Sequence, residues 1–357
     1  MPAVTDMRDV EVIAPNFKRR LSGVTSTIIQ LVPVQNRLGQ KVATLGPGLP
    51  PHLPFLRWRD LLRLWSPPAG RRWRIWHARR NLEMLPGILL RDLLRMPLKL
   101  VFTSASQRRH TGWTKFLIRR MDAVVATSGK TAAYLDVPAT VVMHGIDPER
   151  FSPAADKVAA RREKGLDPGL NVIGCFGRVR HQKGTDLFVD AMIRLLPSRP
   201  GWAAVVAGRA TAQHAAFEAG LREKVRAAGL ADRIAFVGEH TDINAWYRTL
   251  DLFVAPQRWE GFGLTPLEAM ATGVPVVATD VGAFAEIVAT GEEETGVVVP
   301  PGDLDAVAEA TARFMDDDAR RLAAAARARP HVMRHFTIEG EAGRLAAVYD
   351  AAARRGS

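Results

Sequence analysis

The stretch RWEGFGLTPLEAMATGVPVV, Arg258–Val277, holds two glutamates eight positions apart, three glycines and a strand-like ending. Pro266 suits the first turn of a helix, Gly273 suits its stop near Thr272, and VPVV then reads as a strand. The loop GFGLTP lets backbone approach a ligand closely, because glycine adds no side chain and tolerates unusual dihedrals. A helix opening there leaves amides free for an anion, with the positive end of its dipole behind them. Glu260 precedes that cradle and Glu268 lies about one turn into the helix. Two carboxylates flanking a phosphate cradle are what a nucleotide-sugar needs, sugar hydroxyls on one side and ribose hydroxyls on the other. The plain alternative is a surface helix whose glutamate is favoured by the dipole.

Working outward, both halves of the chain alternate strands and helices. Strands are predicted at Val10–Pro15, Lys41–Gly46, Arg74–Ala78, Leu98–Ser104, Ala123–Ser128 and Thr140–Gly145, with a helix over Ser26–Leu38. The scheme repeats at Asn171–Gly177, Ala203–Gly208, Ile234–Gly238, Leu252–Pro256 and Val274–Asp280. Continuous apolar strands alternating with helices predict parallel sheets covered on both faces. The expected α/β architecture is two doubly wound, Rossmann-like domains, joined near His144–Lys157 and facing a cleft, with ligands at the carboxyl ends of the strands. The divisions expected are 1–155, 156–335 and a terminal helix over 336–357.

The chain has 357 residues, 47% hydrophobic and 24% charged, the composition of a soluble globular protein of two domains. No run of eighteen apolar residues occurs, and MPAVTDMRDVEV lacks a signal-peptide core, so a cytoplasmic location is expected. The single cysteine, Cys175, excludes an internal disulfide framework and reads as packing. Charge is uneven. Residues 1–150 hold 24 Lys and Arg against 10 Asp and Glu, whereas the remaining 207 hold 25 against 27. The basic half should meet a polyanion.

CFGRVRHQKGTD, Cys175–Asp186, complements the glutamate loop. Arg178 and Lys183 follow a strand end, where Arg forks a diphosphate and Lys adds a compact charge, without a metal. In the first half, Ser22, Gly23 and Val24 open a helix whose amides suit the same diphosphate. His77, at a strand end, is a candidate for the sugar pocket. Three motifs are set aside. SGKT, Ser128–Thr131, lacks the leading glycine of a P-loop. DLD, Asp303–Asp305, follows PPG and reads as a helix cap rather than a metal pair. No G-x-G-x-x-G follows the first strand, which argues against a nicotinamide dehydrogenase.

These residues resemble the retaining GT-B glycosyltransferases of the large family-4 type. The resemblance is carried by SGV after the first strand, HGIDPERFSP, GRVRHQKGTDLFVDA, the Glu260–Glu268 pair and GVPVVATDVGAFAEIV, and spans nearly the whole chain. It implies that Arg178 and Lys183 bind the donor diphosphate. Glu260 would hold the transferred sugar and Glu268 the ribose. Backbone over Gly261, Phe262, Gly263, Leu264 and Thr265, with Gly23, would cradle phosphate. HFTIEGEAGRLAAVYDAA would form a last helix crossing back to the first domain. More narrowly, FKRRLSGVTSTIIQLVPVQ, ATLGPGLP, WHARRNLEML and IRRMDAVVATS are similar to alphaproteobacterial lipopolysaccharide core mannosyltransferases. That resemblance implies GDP-mannose as donor, no further cofactor, and a Kdo-bearing lipid A precursor as acceptor. Many relatives carry a histidine after the strand reading LVFTSAS, where this chain has Ser104; His77 is the residue expected to fill that need.

Retention in hydrolases uses a carboxylate pair. None is promised here, so same-face attack is expected, with the departing diphosphate taking the acceptor proton and Arg178 and Lys183 stabilising the charge. On the acceptor side, RWRDLLRLW sets Trp58, Leu61, Leu62 and Trp65 on one helical face with Arg59 and Arg63 on another. Arg91, Arg95 and Lys99 recur at four-residue spacing, with Pro97 expected to break the helix. The pattern predicts peripheral contact with an anionic membrane, on the inner face of the inner membrane. The bland alternative is an amphipathic helix packed on the core. No nucleic acid is expected, since no aromatic-basic reading motif accompanies the charge. A nucleotide-sugar 2-epimerase and a non-catalytic binder of anionic lipid or nucleic acid stay open as alternatives.

Overall fold

The computed structural model of the chain describes residues 6–19 and 23–354. The chain divides into two compact units, Met1–Gly145 with Ile338–Ser357, and Ile146–Thr337.

The first unit is built on β1 (Val12–Pro15), β2 (Val42–Leu45), β3 (Phe55–Leu56), β4 (Arg74–Ala78), β5 (Leu98–Ser104), β6 (Ala123–Ala126) and β7 (Thr140–Val141). They lie in the order β3-β2-β1-β4-β5-β6-β7, and every pairing is parallel. Side chains alternate across a strand, so β1 feeds two cores. Val12 and Ala14 join Ile28 and Leu31 of the helix Gly23–Arg37 on one face. Ile13 joins Trp76, Met84 and Leu100 on the other. Burial on both faces is why these strands read as unbroken apolar runs. The C-terminal helix, Ile338–Arg354, belongs to the first of these layers, with Leu345, Val348 and Tyr349 packed beside Leu31 and Val42. Gln40 Nε2 donates to the Ala342 carbonyl at 2.9 Å, and Glu341 accepts the Gly145 amide at 2.8 Å.

The second unit carries β8 (Asn171–Phe176), β9 (Trp202–Ala207), β10 (Ile234–Gly238), β11 (Leu252–Ala255), β12 (Val276–Thr279) and β13 (Gly296–Val299), in the order β10-β9-β8-β11-β12-β13. All pairings are again parallel. Strand order reverses between β1 and β4 in one sheet and between β8 and β11 in the other. At such a reversal the connections leave in opposite directions, and the strand ends open into a crevice.

Two strands escape the sequence reading. β3 has only two residues, and β13 follows the acidic loop GEEETG, so neither offers a long alternating run. Cys175 is buried, and burial pushes its thiol up to about 12, far from reactivity. Ser128 Oγ accepts the Thr131 amide at 3.0 Å, and Asp303 accepts the Ala306 amide at 2.9 Å. SGKT and DLD are therefore helix caps.

Candidate active site

The reversal point of the second sheet gathers most of the predicted site residues. β8 ends at Phe176, Gly177 turns at φ +138°, and exposed Arg178 follows with no partner among the described residues. One short turn later comes Lys183, whose ammonium forms an ion pair with Glu260 Oε2 on the loop after β11. The turn between Lys183 and the helix Thr185–Leu195 requires glycine. Gly184 sits at φ +69°, and a Cβ there would meet the Pro256 carbonyl oxygen at 1.8 Å.

A second ion pair, absent from the sequence reading, locks the same two loops together. Arg258 forks Asp186, Nη1 to Oδ1 at 2.7 Å and Nη2 to Oδ2 at 2.8 Å, and Nη1 also reaches the His181 carbonyl at 2.7 Å. Burial alone would raise the Asp186 carboxyl, but the bidentate guanidinium outweighs it and holds the group below its usual range. The signal was available in sequence only as an arginine and an aspartate 72 positions apart, which nothing local connects.

The glycine loop is folded around Glu260. Glu260 Oε1 accepts the Gly261 amide at 3.0 Å. Gly263, at φ +89°, would drive a Cβ to within 2.2 Å of the buried Phe284 ring, so the backbone is held tight against that ring. The helix Thr265–Ala271 begins there with Leu264 as its N-cap, and no side chain caps its first amides. Glu268 is partly buried, and its Oε2 accepts the Tyr247 hydroxyl at 2.8 Å. Burial raises the Glu268 carboxyl above the ordinary glutamate range, while the Tyr247 hydrogen bond, Arg150 and Lys183 oppose that rise. Tyr247 is itself fully buried, packed on Phe176 at a ring-centroid distance of 4.7 Å. Thus Arg178, Lys183, Glu260, Gly261, Phe262, Gly263, Leu264, Thr265 and Glu268 share one strand-end region. Among the described residues, no three His, Cys, Asp or Glu side chains are grouped to hold a metal ion.

In the first unit, Gly23 opens the helix Gly23–Arg37 as expected, and Ser22 lies outside the described residues. His77 requires a correction. Its ring is 1% exposed, with Nδ1 2.7 Å from the Tyr349 hydroxyl and Nε2 2.7 Å from Thr103 Oγ1. Burial holds it neutral, well below the usual histidine range. With both nitrogens engaged, the ring bonds β4 to β5 and the C-terminal helix, and it does not line the pocket beyond Thr103. A histidine at a strand end looks the same in sequence whether it points inward or outward.

The basic membrane helices also differ from expectation. Trp58–Arg63 is a 3-10 helix, and Leu61 turns into the core while Trp58, Leu62 and Trp65 stay exposed. Arg91 is spent on Asp92 and Asp122. Lys99 lies on β5, 8% exposed, with its ammonium 4.9 Å from the Trp73 ring. The helical run stops at Leu93 and Arg95 follows at φ +54°, ahead of Pro97, so Arg91, Arg95 and Lys99 never share a helix face. Trp113 and Phe116, which no local sequence pattern singles out, are exposed on the helix Gly112–Arg119 and stacked at 5.7 Å.

Two doubly wound parallel sheets, with a C-terminal helix returning to the first, define the GT-B class of glycosyltransferase. A solved structure of Anabaena Alr3699/HepE in complex with UDP shares this fold, with a TM-score of 0.81 at 17% identity over 96% of this chain and 100% of that one. The family model "Glycosyl transferases group 1" matches residues 170–317. A "Lipopolysaccharide core biosynthesis mannosyltransferase LpsB" of Rhizobium meliloti (strain 1021) is 69% identical over 98% of this chain and all of that protein. "LpcC", a protein of the same description from Rhizobium leguminosarum bv. viciae, is 61% identical over 97% of each. The chain belongs to this LpsB/LpcC family of GT-B glycosyltransferases, related to the alphaproteobacterial lipopolysaccharide core mannosyltransferases.

Proposed function

We propose that the chain transfers mannose from GDP-mannose, with retention, onto the Kdo-bearing lipid A inner core of lipopolysaccharide. The observation that carries the transfer chemistry is the Lys183–Glu260 pair set beside Tyr247-held Glu268 at the strand-order reversal of the second sheet. The choice of mannose and of this acceptor is supported by what the two near-full-length relatives are said to do. In this reading the second unit binds the nucleotide-sugar and the first the acceptor.

An ammonium has three donors. Glu260 uses one on Lys183, which leaves the others for the leaving diphosphate, while Arg178 approaches it from the adjoining turn. The acceptor oxygen bonds to the anomeric carbon on the face from which the carbon–oxygen bond to phosphate breaks. Its proton passes to the departing phosphate oxygen. Lys183 and Arg178 stabilise the negative charge gathering there. Glu268 and Glu260 accept hydrogen bonds from ribose and sugar hydroxyls and hold the donor in place.

Peripheral membrane contact is supported by exposed Trp58, Leu62, Trp65, Trp113 and Phe116 amid the basic first unit. Among the described residues no helix is long and apolar enough to cross a membrane. The test is a mass-spectrometric transfer assay with a Kdo-lipid A precursor and GDP-mannose, UDP-glucose, UDP-galactose and UDP-GlcNAc offered separately. A hexose gained only from GDP-mannose is the expected result. Gain from another donor would overturn the mannose assignment, and conversion of the soluble donor alone would point to an epimerase.

A further inference from the structure

The first unit holds a strand-end pocket of about 410 Å³, within the size range of small-ligand sites. Its walls come from the carboxyl ends of β4 and β5, the segment after β1, and the start of the helix Gly23–Arg37. Two consecutive arginines at the end of β4 have opposite fates. Arg80 is consumed internally: Nη1 donates to Glu83 Oε1 at 2.7 Å and Asn16 Oδ1 at 2.8 Å, and Nη2 donates to Thr25 Oγ1 at 3.0 Å. Arg79 lines the pocket and has no carboxylate within ion-pair distance among the described residues. Its guanidinium makes only long contacts to His77, 3.3 Å to the carbonyl and 3.5 Å to Nδ1. Burial pulls its pKa below the ordinary arginine value, the mark of a cation paying for lost solvent.

Two further polar groups in the same wall lack partners among the described residues. Ser104 is 2% exposed and its Oγ is buried with no hydrogen bond. His110 Nε2 is likewise buried and unbonded. Buried polar atoms are almost always satisfied, so a cation and two unbonded groups on one cavity point to a ligand that supplies oxygens.

We infer that this pocket holds the carboxylate of an acidic sugar in the acceptor, with Arg79 as its cation and Ser104 and His110 as its hydrogen-bonding partners. The inference rests on the acceptor reading proposed above and deepens it by naming the charge that is recognised and the residues that read it. Arg79 forks the carboxylate, Ser104 donates its hydroxyl proton to it, and neutral His110 bonds an adjoining hydroxyl.

The test is titration calorimetry on the full chain with Kdo methyl glycoside, its carboxamide analogue and inorganic phosphate. The acid should bind at least about tenfold more tightly than the amide, Arg79→Gln should erase that difference, and Ser104→Ala should reduce it, with GDP-mannose affinity unchanged. If Arg79→Gln does not fold, Arg79→Lys and Ser104→Ala carry the same comparison. Equal binding of acid and amide, or wild-type selectivity in the variants, overturns the inference. So does displacement of the glycoside by phosphate at equal concentration. Transfer to Kdo-lipid A that ignores Arg79→Gln sinks this inference and spares the proposed function. Selective acid binding without transfer does the reverse.

Discussion

The two strand-end regions differ in how far their charges are paired. In the second unit two ion pairs are matched in place, Lys183 with Glu260 and Arg258 with Asp186, and Glu268 accepts the Tyr247 hydroxyl. Exposed Arg178 stands apart, where water solvates it cheaply, and so does half-buried Arg180, whose buried Nε has no partner among the described residues. In the first unit Arg80 is matched, and Arg79 is left half-buried without a carboxylate partner among the described residues. A matched network holds its shape whether or not a ligand is present. An unmatched, partly desolvated cation is a standing cost that an incoming anion relieves, so it selects for charge rather than for shape.

The comparison breaks most visibly at Lys183. Lys183→Ala removes a donor to the leaving group and unpairs Glu260, and should lower single-turnover transfer by roughly a hundred- to thousandfold. A loss of only a few-fold would mean that the matched network is scaffolding. Next in size is His77→Phe, which leaves Tyr349 and Thr103 short of a partner. It should cost about 1–3 kcal/mol of unfolding free energy by denaturant titration while transfer stays within a few-fold of wild type. Because folded His77 stays neutral, the unfolded chain takes up a proton that the folded chain refuses. Stability should therefore fall as pH drops below the usual histidine value of 6.5, and His77→Phe should remove that share of the slope. A collapse of transfer in folded His77→Phe would return the ring to the active site.

Glu268→Gln should raise the KM for donor about tenfold by replacing a charged acceptor with a neutral one. Burial raises the Glu268 carboxyl, so its protonated form persists to higher pH than in free glutamate. Donor KM in the wild type should climb as pH falls through that raised value, and Glu268→Gln should be flat there; a wild-type profile free of that limb would sink the ribose assignment. The smallest effect belongs to the surface. The double change Trp113→Ser and Phe116→Ser should weaken sedimentation with phosphatidylglycerol vesicles by roughly tenfold. Unchanged sedimentation would move the membrane contact elsewhere.

Much of the second unit was legible before folding. Glycines at 177, 184, 263 and 273 each take positive φ, and a helix opening at Pro266 and closing at Gly273 obeys local rules that sequence displays. Arg178, Lys183, Glu260 and Glu268 stand beside those signals, so their neighbourhood could be read along the chain. The first unit resisted such reading because its decisive contacts are distant in sequence. His77 meets Tyr349 across 272 positions, and Arg80 meets Asn16 across 64.

The sequence by itself determined the alternation of strands and helices, the uneven charge, and the place of each carboxylate and cation relative to a strand end. Periodicity and turn chemistry act over a few residues, and those features need nothing longer in range. Only the tertiary structure decided which polar groups are spent on one another: that His77 faces the core, that Lys99 is held against Trp73, and that of two adjacent arginines one is bonded and the other is left to meet a ligand. Those outcomes depend on which side chains the packed sheets bring within about 3 Å, the reach of a hydrogen bond, and no local pattern along the chain encodes that distance.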